Sequence, residues 1–517
     1  MSYKMKKTIA VLLAAALGCN AAACSSDSSI SDVENTQNSE TASASEDGKI
    51  VTSQLDTADM FSDRDKEIGY DETQSVSIEL ADNGITATAD TVGISDSIVT
   101  IKDEGTYILT GTLSDGQVVI DADGKKVQLV LNGVDITSKS SAAIYVKAAD
   151  KVFITLADKS ENKLTTSAEY VAIDDNNIDA VIFSKDDITL NGEGTLAVTS
   201  KAGNAITSKN DLKVTSGTYT LEAAGHGLEA KDSIRVAGGE ISITSGKDGL
   251  HSENSDELDI DSVDDGIHAN GSIEVVDGTY AIAAGDDGIH ADEVLLISGT
   301  DIDITKSYEG LEGKTITIND GDINIVSSDD GLNAAEGSTS DSMRSPTSEN
   351  CWIEINGGSL YVYADGDGID SNGNMTINAG DIKVDGPSNS GNAAIDFGDG
   401  AKAYINGGSI IAVGGSGMVE AFDSSSKQAM MSIQVADSNI TGEVVLSDSD
   451  GNVIISYTPA KEYNCVQIST AELEKGKTYT LKAGDTTTTI ELNELLYSNI
   501  SNNGNKGRGG KSFPRTT

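Results

Sequence analysis

At 517 residues the chain is longer than one compact core usually grows, so it holds either several domains or a repeat. Its 83 acidic against 35 basic side chains give a formal net charge of -48, which excludes nucleic acid as a partner because nothing here could neutralise phosphates. With 54 Gly, only 4 Pro and 4% aromatic residues, it reads as strands and turns with few helices.

The N-terminus has the form of an export signal: Lys4, Lys6 and Lys7 precede an apolar run at 9–17 that is too short to span a bilayer stably, and small residues follow. Cys19 after Leu17-Gly18, or Cys24 after Ala21-Ala22-Ala23, then fits the small-residue-plus-cysteine site of bacterial lipoproteins. Cys24 is the preferred lipidation residue because the polar linker starts directly after it. Residues 1–24 are therefore expected to be a lipoprotein-type signal peptide and 25–60, which lack aromatic residues, a disordered linker. The exported protein would stand on the outer face of a bacterial cell membrane, touching it only through the lipid anchor. Cys351 and Cys465 are too far apart in sequence to suggest a disulfide framework or zinc spacing.

Strands are expected first at 76–80, 85–88, 98–101 and 107–113. Internal repetition follows. Taking the residue before a recurrent Ile or Leu as anchor gives Ala205, Gly227, Gly249, Gly266, Gly288, Gly310, Gly331, Gly368, Ala394 and Gly417, most of them 21 to 23 positions apart. The interval from Gly331 to Gly368 is longer, and its surplus matches a polar loop at 336–350. Within each repeat, apolar residues recur 1, 7, 9, 14 and 16 positions after the anchor, as in Leu228, Ile234, Val236, Ile241 and Ile243. Pairs two apart are the period of strands. A glycine two positions before the third strand's first inward residue, as at Gly217, Gly278 and Gly380, marks a corner needing positive φ. The expected fold is all-β: a right-handed single-stranded parallel β-helix over 61–429 with about 22 residues per rung. A small antiparallel β cap should follow at 430–497 and a disordered tail at 498–517.

The anchor turns concentrate acidic residues: Asp248, Asp265, Asp287, Glu309, Asp330 and Asp367 stand directly before an anchor, as does His226, and Asp264, Asp286 and Asp329 stand two before. Two positions after the anchor, pointing outward, stand Glu229, His251, His268, His290, Glu312, Asn333 and Asp370. Stacked at ~4.8 Å these carboxylates repel, and a hard cation would compensate. Ca2+ takes six to eight oxygens in flexible geometry, so Asp264, Asp265, Asp286, Asp287, Glu309, Asp329, Asp330, Asp367 and Asp370 are the candidate ligands. Alternatively, Asp-Asp-Gly simply makes good turns. His251, His268, His290 and Glu312 read as polar wall residues facing a ligand, although imidazoles at rung spacing also suit zinc or copper. Trp352, Tyr361 and Tyr363 are candidates to stack on sugar faces, or else to pack against the loop at 336–350.

Phe61-Ser62-Asp63-Arg64-Asp65, the Asp-Asp-Gly-Ile-His runs at 264–268 and 286–290, Asp-Asp-Gly-Leu-Asn at 329–333 and Gly-Asp-Gly-Ile-Asp at 366–370 resemble a bacterial carbohydrate-binding family. Its members are calcium-binding, pectate-lyase-like solenoids that attach to cellulose and acidic plant polysaccharides. The resemblance implies a non-catalytic, calcium-dependent, surface-held binder of pectic or cellulosic polysaccharide. Two enzyme classes share such a fold. Pectate lyases use an arginine or lysine base, for which the chain offers Arg235, Arg344, Lys231 or Lys314. Polygalacturonase-like hydrolases use Asp-Asp and Gly-His-Gly motifs, and Asp264-Asp265 and Gly225-His226-Gly227 match them in reversed order. A surface adhesin or spacer is the third reading.

Overall fold

The computed structural model describes residues 60–167, 169–171, 174–253, 270–336 and 347–500, all within one unit spanning 53–517. Among them, strands dominate and the only α-helix is Asp63–Lys66. The first strands fall where alternation places them, at Val76–Leu80, Thr86–Ala87, Ile98–Ile101 and Gly105–Leu113. None of the described helices is long and apolar enough to cross a membrane.

Strands one repeat apart are hydrogen-bonded parallel neighbours, and they form three ladders. In the first, Ile206, Leu228, Leu250, Ile289, Leu311, Leu332, Ile369 and Ile395 are successive partners. Leu212, Ile234, Ile273, Leu295, Ile316, Ile353, Met375 and Ala403 line up in the second. Tyr219, Ile241, Tyr280, Ile302, Ile323, Leu360, Ile382 and Ile410 do so in the third. All three stripes are buried in one continuous apolar core. Alternation is therefore a burial pattern: in Thr300–Ser307, Ile302 and Ile304 face the core while Asp301 and Asp303 face water.

Corner glycines behave as the spacing requires. Gly217, Gly239, Gly278, Gly321, Gly358 and Gly380 have φ of 109, 111, 115, 138, 80 and 110°. At Gly321 a Cβ would also lie 2.5 Å from the Thr300 carbonyl oxygen of the preceding repeat.

One expected rung is corrected. Gly249 and Gly266 read as successive anchors, but Leu250 pairs with Ile289, and Ile234 pairs with Ile273, both 39 positions on. The described register thus carries 17 extra positions between Leu250–Ser252 and Ser272–Ala283, and the expected anchor Gly266 lies outside the described residues. Leu332 pairs with Ile369 and Ile316 with Ile353, and most of the loop expected at 336–350, residues 337–346, lies outside the described residues.

At the C-terminal end, Cys465–Ser469 lies antiparallel between Ser409–Gly414 and Met430–Gln434, so a foreign strand covers the last repeat's edge. Val453–Tyr457, Val444–Ser447, Thr478–Ala483 and Thr486–Glu491 form a separate four-stranded antiparallel sheet, and a second apolar cluster joins it to the covering strands.

Removing one inward side chain should leave a cavity that neighbouring repeats cannot close. Leu295→Ala is expected to cost about 2–5 kcal/mol of unfolding free energy in urea titrations. Val326→Ala, at a side chain 41% exposed, should change it by less than about 0.5 kcal/mol. Equal costs at the two positions would contradict the inward register.

Candidate metal-binding turn column

Each anchor glycine admits the next repeat's backbone closely: a Cβ would lie 2.5 Å from the Gly288 carbonyl at Gly249 and 2.3 Å from the Gly331 carbonyl at Gly310. This close stacking brings the acidic residues before the anchors over one another. Their carboxylates hold the turns together. Asp248 Oδ1 accepts from the Asp287 N–H at 3.0 Å, Asp287 Oδ1 from Glu309 at 2.9 Å and Asp330 Oδ1 from Asp367 at 2.6 Å, and Asp367 accepts likewise from Ala393. One oxygen of each is thereby committed to the backbone.

Beside this column runs the outward column of the first ladder, in which Glu229, His251, His290, Glu312, Asn333, Asp370 and Asp396 are successive partners. The two columns meet in a histidine half and a carboxylate half. In the first, Asp248 Oδ2 lies 3.2 Å from His226 Nδ1 and 2.8 Å from His251 Nδ1. His290 Nδ1 stands 3.4 Å from Asp287 Oδ2 and 3.3 Å from Glu312 Oε2, and its Nε2 is 3.4 Å from Asp292 Oδ1. Burial alone would raise the Asp248 carboxyl, but the imidazoles of His226 and His251 outweigh it and hold it well below the usual range. Burial likewise opposes charge on His290, yet Asp287, Asp292 and Glu312 push it up to about 11.

In the carboxylate half, oxygens of Asp330, Asp367 and Asp370 lie within 4.8 Å of one another. Burial, then the Asp329 charge, pushes Asp330 up to about 7. Asp367 is pushed up to about 8, first by burial; the Ala393 N–H opposes this, and the Asp330 and Asp396 charges add to it. Burial, with Asp330, Asp367 and Asp396 as neighbours, raises Asp370 well above a normal carboxyl. Glu309 and Glu312 join the halves, and both are raised mainly by burial. Asn333 Nδ2 donates to Glu309 Oε2 at 2.8 Å.

The structure thus brings Asp286, Asp287, Glu309, Glu312, His251, His290, Asp330, Asp367 and Asp370 to one edge. Asp329 stands beside them and, through a hydrogen bond, pushes the Tyr308 hydroxyl up to about 12. Asp264, Asp265, His268 and Cys24 lie outside the described residues, and the register joins His251 directly to His290. The aromatic candidates sit on other ladders. Trp352 is half-buried between Thr315 and Asn374; Tyr361 donates to Asp385 Oδ2 at 2.9 Å, and Tyr363 lies under Lys461 with its Nζ 4.7 Å from the ring centre. Tyr361 is therefore engaged by the next repeat and Tyr363 by the C-terminal region. Sequence reasoning passed over Asp292 and Asp396. Asp396 carries the same outward offset from Ala394 as Asp370 does from Gly368, so the repeat itself could have found it.

Carboxyls raised in the folded state bind protons that the unfolded chain has already released, so their contribution falls as pH rises through the folded values. His290, raised above an unfolded imidazole, acts in the same direction. Metal-free protein is therefore expected to melt higher near about pH 5 than near about pH 8.5. A melting temperature that rises over that interval in chelator-treated protein would contradict the carboxylate environment described.

A family model described as "Carbohydrate-binding domain-containing protein" matches residues 95–336 and 286–451. A protein of that same description from Acetivibrio thermocellus is 44% identical over 138 residues, an alignment covering 26% of this chain and 48% of the relative. The chain thus spans about half the length of that curated relative. A solved structure of a polysaccharide lyase-like protein from C. thermocellum, as a gadolinium derivative, is 34% identical with a TM-score of 0.42, over 51% of this chain and 98% of the other. The family match takes in most of the repeat and its whole turn column, and the chain belongs to this family of carbohydrate-binding domain proteins.

Proposed function

We propose that this protein is a non-catalytic binder of extended polysaccharide, and that calcium held in the carboxylate half of the turn column is part of its binding surface. The observation that carries the metal is the group Asp330, Asp367 and Asp370. Its ligand oxygens lie within 4.8 Å of one another, and each carboxyl is raised towards its neutral form by burial and by other carboxylates. Oxygens around a calcium ion with ~2.4 Å bonds lie at most ~4.8 Å apart, a limit that this group meets, and a divalent charge would remove the repulsion. Calcium with open coordination positions would bridge these acids to sugar carboxylates, which a chain of net charge -48 otherwise repels.

Family membership supports carbohydrate as the ligand class. We take the three ladders to be the walls of a right-handed parallel β-helix, a reading supported by parallel pairing at one-repeat spacing around a shared core. Flat repeated walls suit a polymer, because weak sites in series give avidity. Two of the basic residues that a lyase would need are tied down. Arg235 is 8% exposed and lies 3.6 Å from Asp211, and Lys314 lies 2.9 Å from Glu293. Lipidation at Cys24 and a linker at 25–60 would display the binder on the outer face of the cell membrane.

Retention on polygalacturonate and cellulose, with calcium or chelator, tests the binder while product release is followed in the same samples. Retention that needs calcium and yields no products is expected, and Asp330→Asn with Asp370→Asn should weaken it at least ~10-fold. Unsaturated or reducing ends would make the protein an enzyme, and no retention on either glycan would leave a surface spacer. Calcium at 100 times its dissociation constant should add ~2.7 kcal/mol of stability. A melt indifferent to chelator, with no bound metal by mass analysis, would remove calcium from this reading.

A further inference from the structure

We propose that His226, Asp248 and His251 form a second metal site, for a borderline divalent cation of the zinc class, distinct in chemistry from the carboxylate half of the column. The three residues come from two consecutive repeats: His226 precedes the anchor Gly227, Asp248 precedes Gly249, and His251 follows two positions after Gly249. Stacking sets the imidazoles face to face, 4.3 Å between ring centres and 19° apart. Both turn Nδ1 towards the same carboxylate oxygen, Asp248 Oδ2, at 3.2 and 2.8 Å.

These contacts are not well-directed hydrogen bonds. His226 is 7% exposed, and its Nδ1 and that of His251 are both buried without a hydrogen-bond partner. Each nitrogen is close to Asp248 Oδ2 but off the axis of a hydrogen bond, and charging both rings would set two cations 4.3 Å apart. A metal ion resolves this by accepting both Nδ1 lone pairs and Asp248 Oδ2 together. Zinc bonds of ~2.05 Å give a tetrahedral edge of ~3.3 Å, close to the 3.2 and 2.8 Å between each Nδ1 and Asp248 Oδ2, and the stacked rings would turn to converge both Nδ1 lone pairs on the ion. Two imidazoles and one carboxylate match the three-ligand set that leaves zinc a fourth, open position, whereas calcium prefers oxygen. Asp248 is already oriented, because its other oxygen accepts from the Asp287 N–H at 3.0 Å.

Asp286 and Asp287 have oxygens within 4.8 Å of one on Asp248, and two basic groups also face the site. His290 Nδ1 lies 4.0 Å from Asp248 Oδ2, and Lys247 Nζ lies 3.4 Å from His226 Nε2. A metal on Nδ1 leaves the proton on Nε2, so Lys247 competes with the ion for this ring.

Calorimetric titration of the full chain with Zn2+ in excess Ca2+, together with Co2+ spectra, tests the site. One zinc-class ion per chain and tetrahedral cobalt bands are expected. His226→Gln and His251→Gln should each weaken zinc at least ~10-fold while leaving calcium binding intact. Lys247→Gln, at a position outside the ligand set, should tighten zinc, and this arm stands even where a histidine variant folds poorly. No bound zinc, equal affinity in the histidine variants, or weaker binding in Lys247→Gln would overturn the proposal.

Discussion

Parallel pairing in register places each residue directly against its counterpart one repeat away, at a strand spacing of ~4.8 Å. From this constraint follow both the stability of the protein and its electrostatic problem. Inward, like stacks on like: Ile234, Ile273, Leu295 and Ile316 are successive neighbours, each 0% exposed. Outward, the same rule stacks charge on charge. No repeat can relieve that repulsion by shifting one position, because a shift of one would turn its entire apolar set to water.

The turn column shows two ways of living with this. In one half, imidazoles alternate with acids, so that Asp248 keeps its charge against burial. In the other, Asp330, Asp367 and Asp370 face mainly other carboxylates, and their proton affinities rise. Structural use and exposure to a ligand are divided between the two oxygens of one side chain. Asp248, Asp287, Asp330 and Asp367 each give an oxygen to a backbone N–H of the following repeat, which fixes where the other oxygen points. The turn residues and the proposed metal ligands are here the same side chains, each using one oxygen for the turn.

Ordering also depends on elements outside the repeat. The helix Asp63–Lys66, opened by a Ser62–Asp65 capping box, carries Asp65 into a buried position against the second ladder. There its carboxylate meets Lys151 Nζ at 2.7 Å and the Thr189 hydroxyl at 2.6 Å. Burial opposes that charge, and the Lys151 and Thr189 bonds outweigh it and hold the carboxyl well below the normal range. Removing one partner would strand a buried charge, so this contact fixes how the chain enters the first repeats. At the far end, Cys465–Ser469 runs antiparallel to the last strand and shields an edge that would otherwise template further pairing.

Most of this was legible in the sequence because it is local. Alternation along a strand decides which side chains face the core, and Val76–Leu80 and Ile98–Ile101 begin and end where they are expected. The acidic column was legible for the same reason, since a fixed offset from an anchor means a fixed side of the strand. What lay beyond the sequence was long-range. Asp264 to His268 reproduce the turn motif at 286 to 290, yet among the described residues the register passes from His251 directly to His290. Tyr361 and Tyr363 alternate outward as expected, but Tyr363 is covered by Lys461 from a segment beyond the repeats, while Tyr361 is held by Asp385 of the following repeat. Spacing along the chain by itself determines the side a residue takes. Which residue it then touches depends on backbone bonds between segments 39 positions apart, and those bonds exist only once the repeats have stacked.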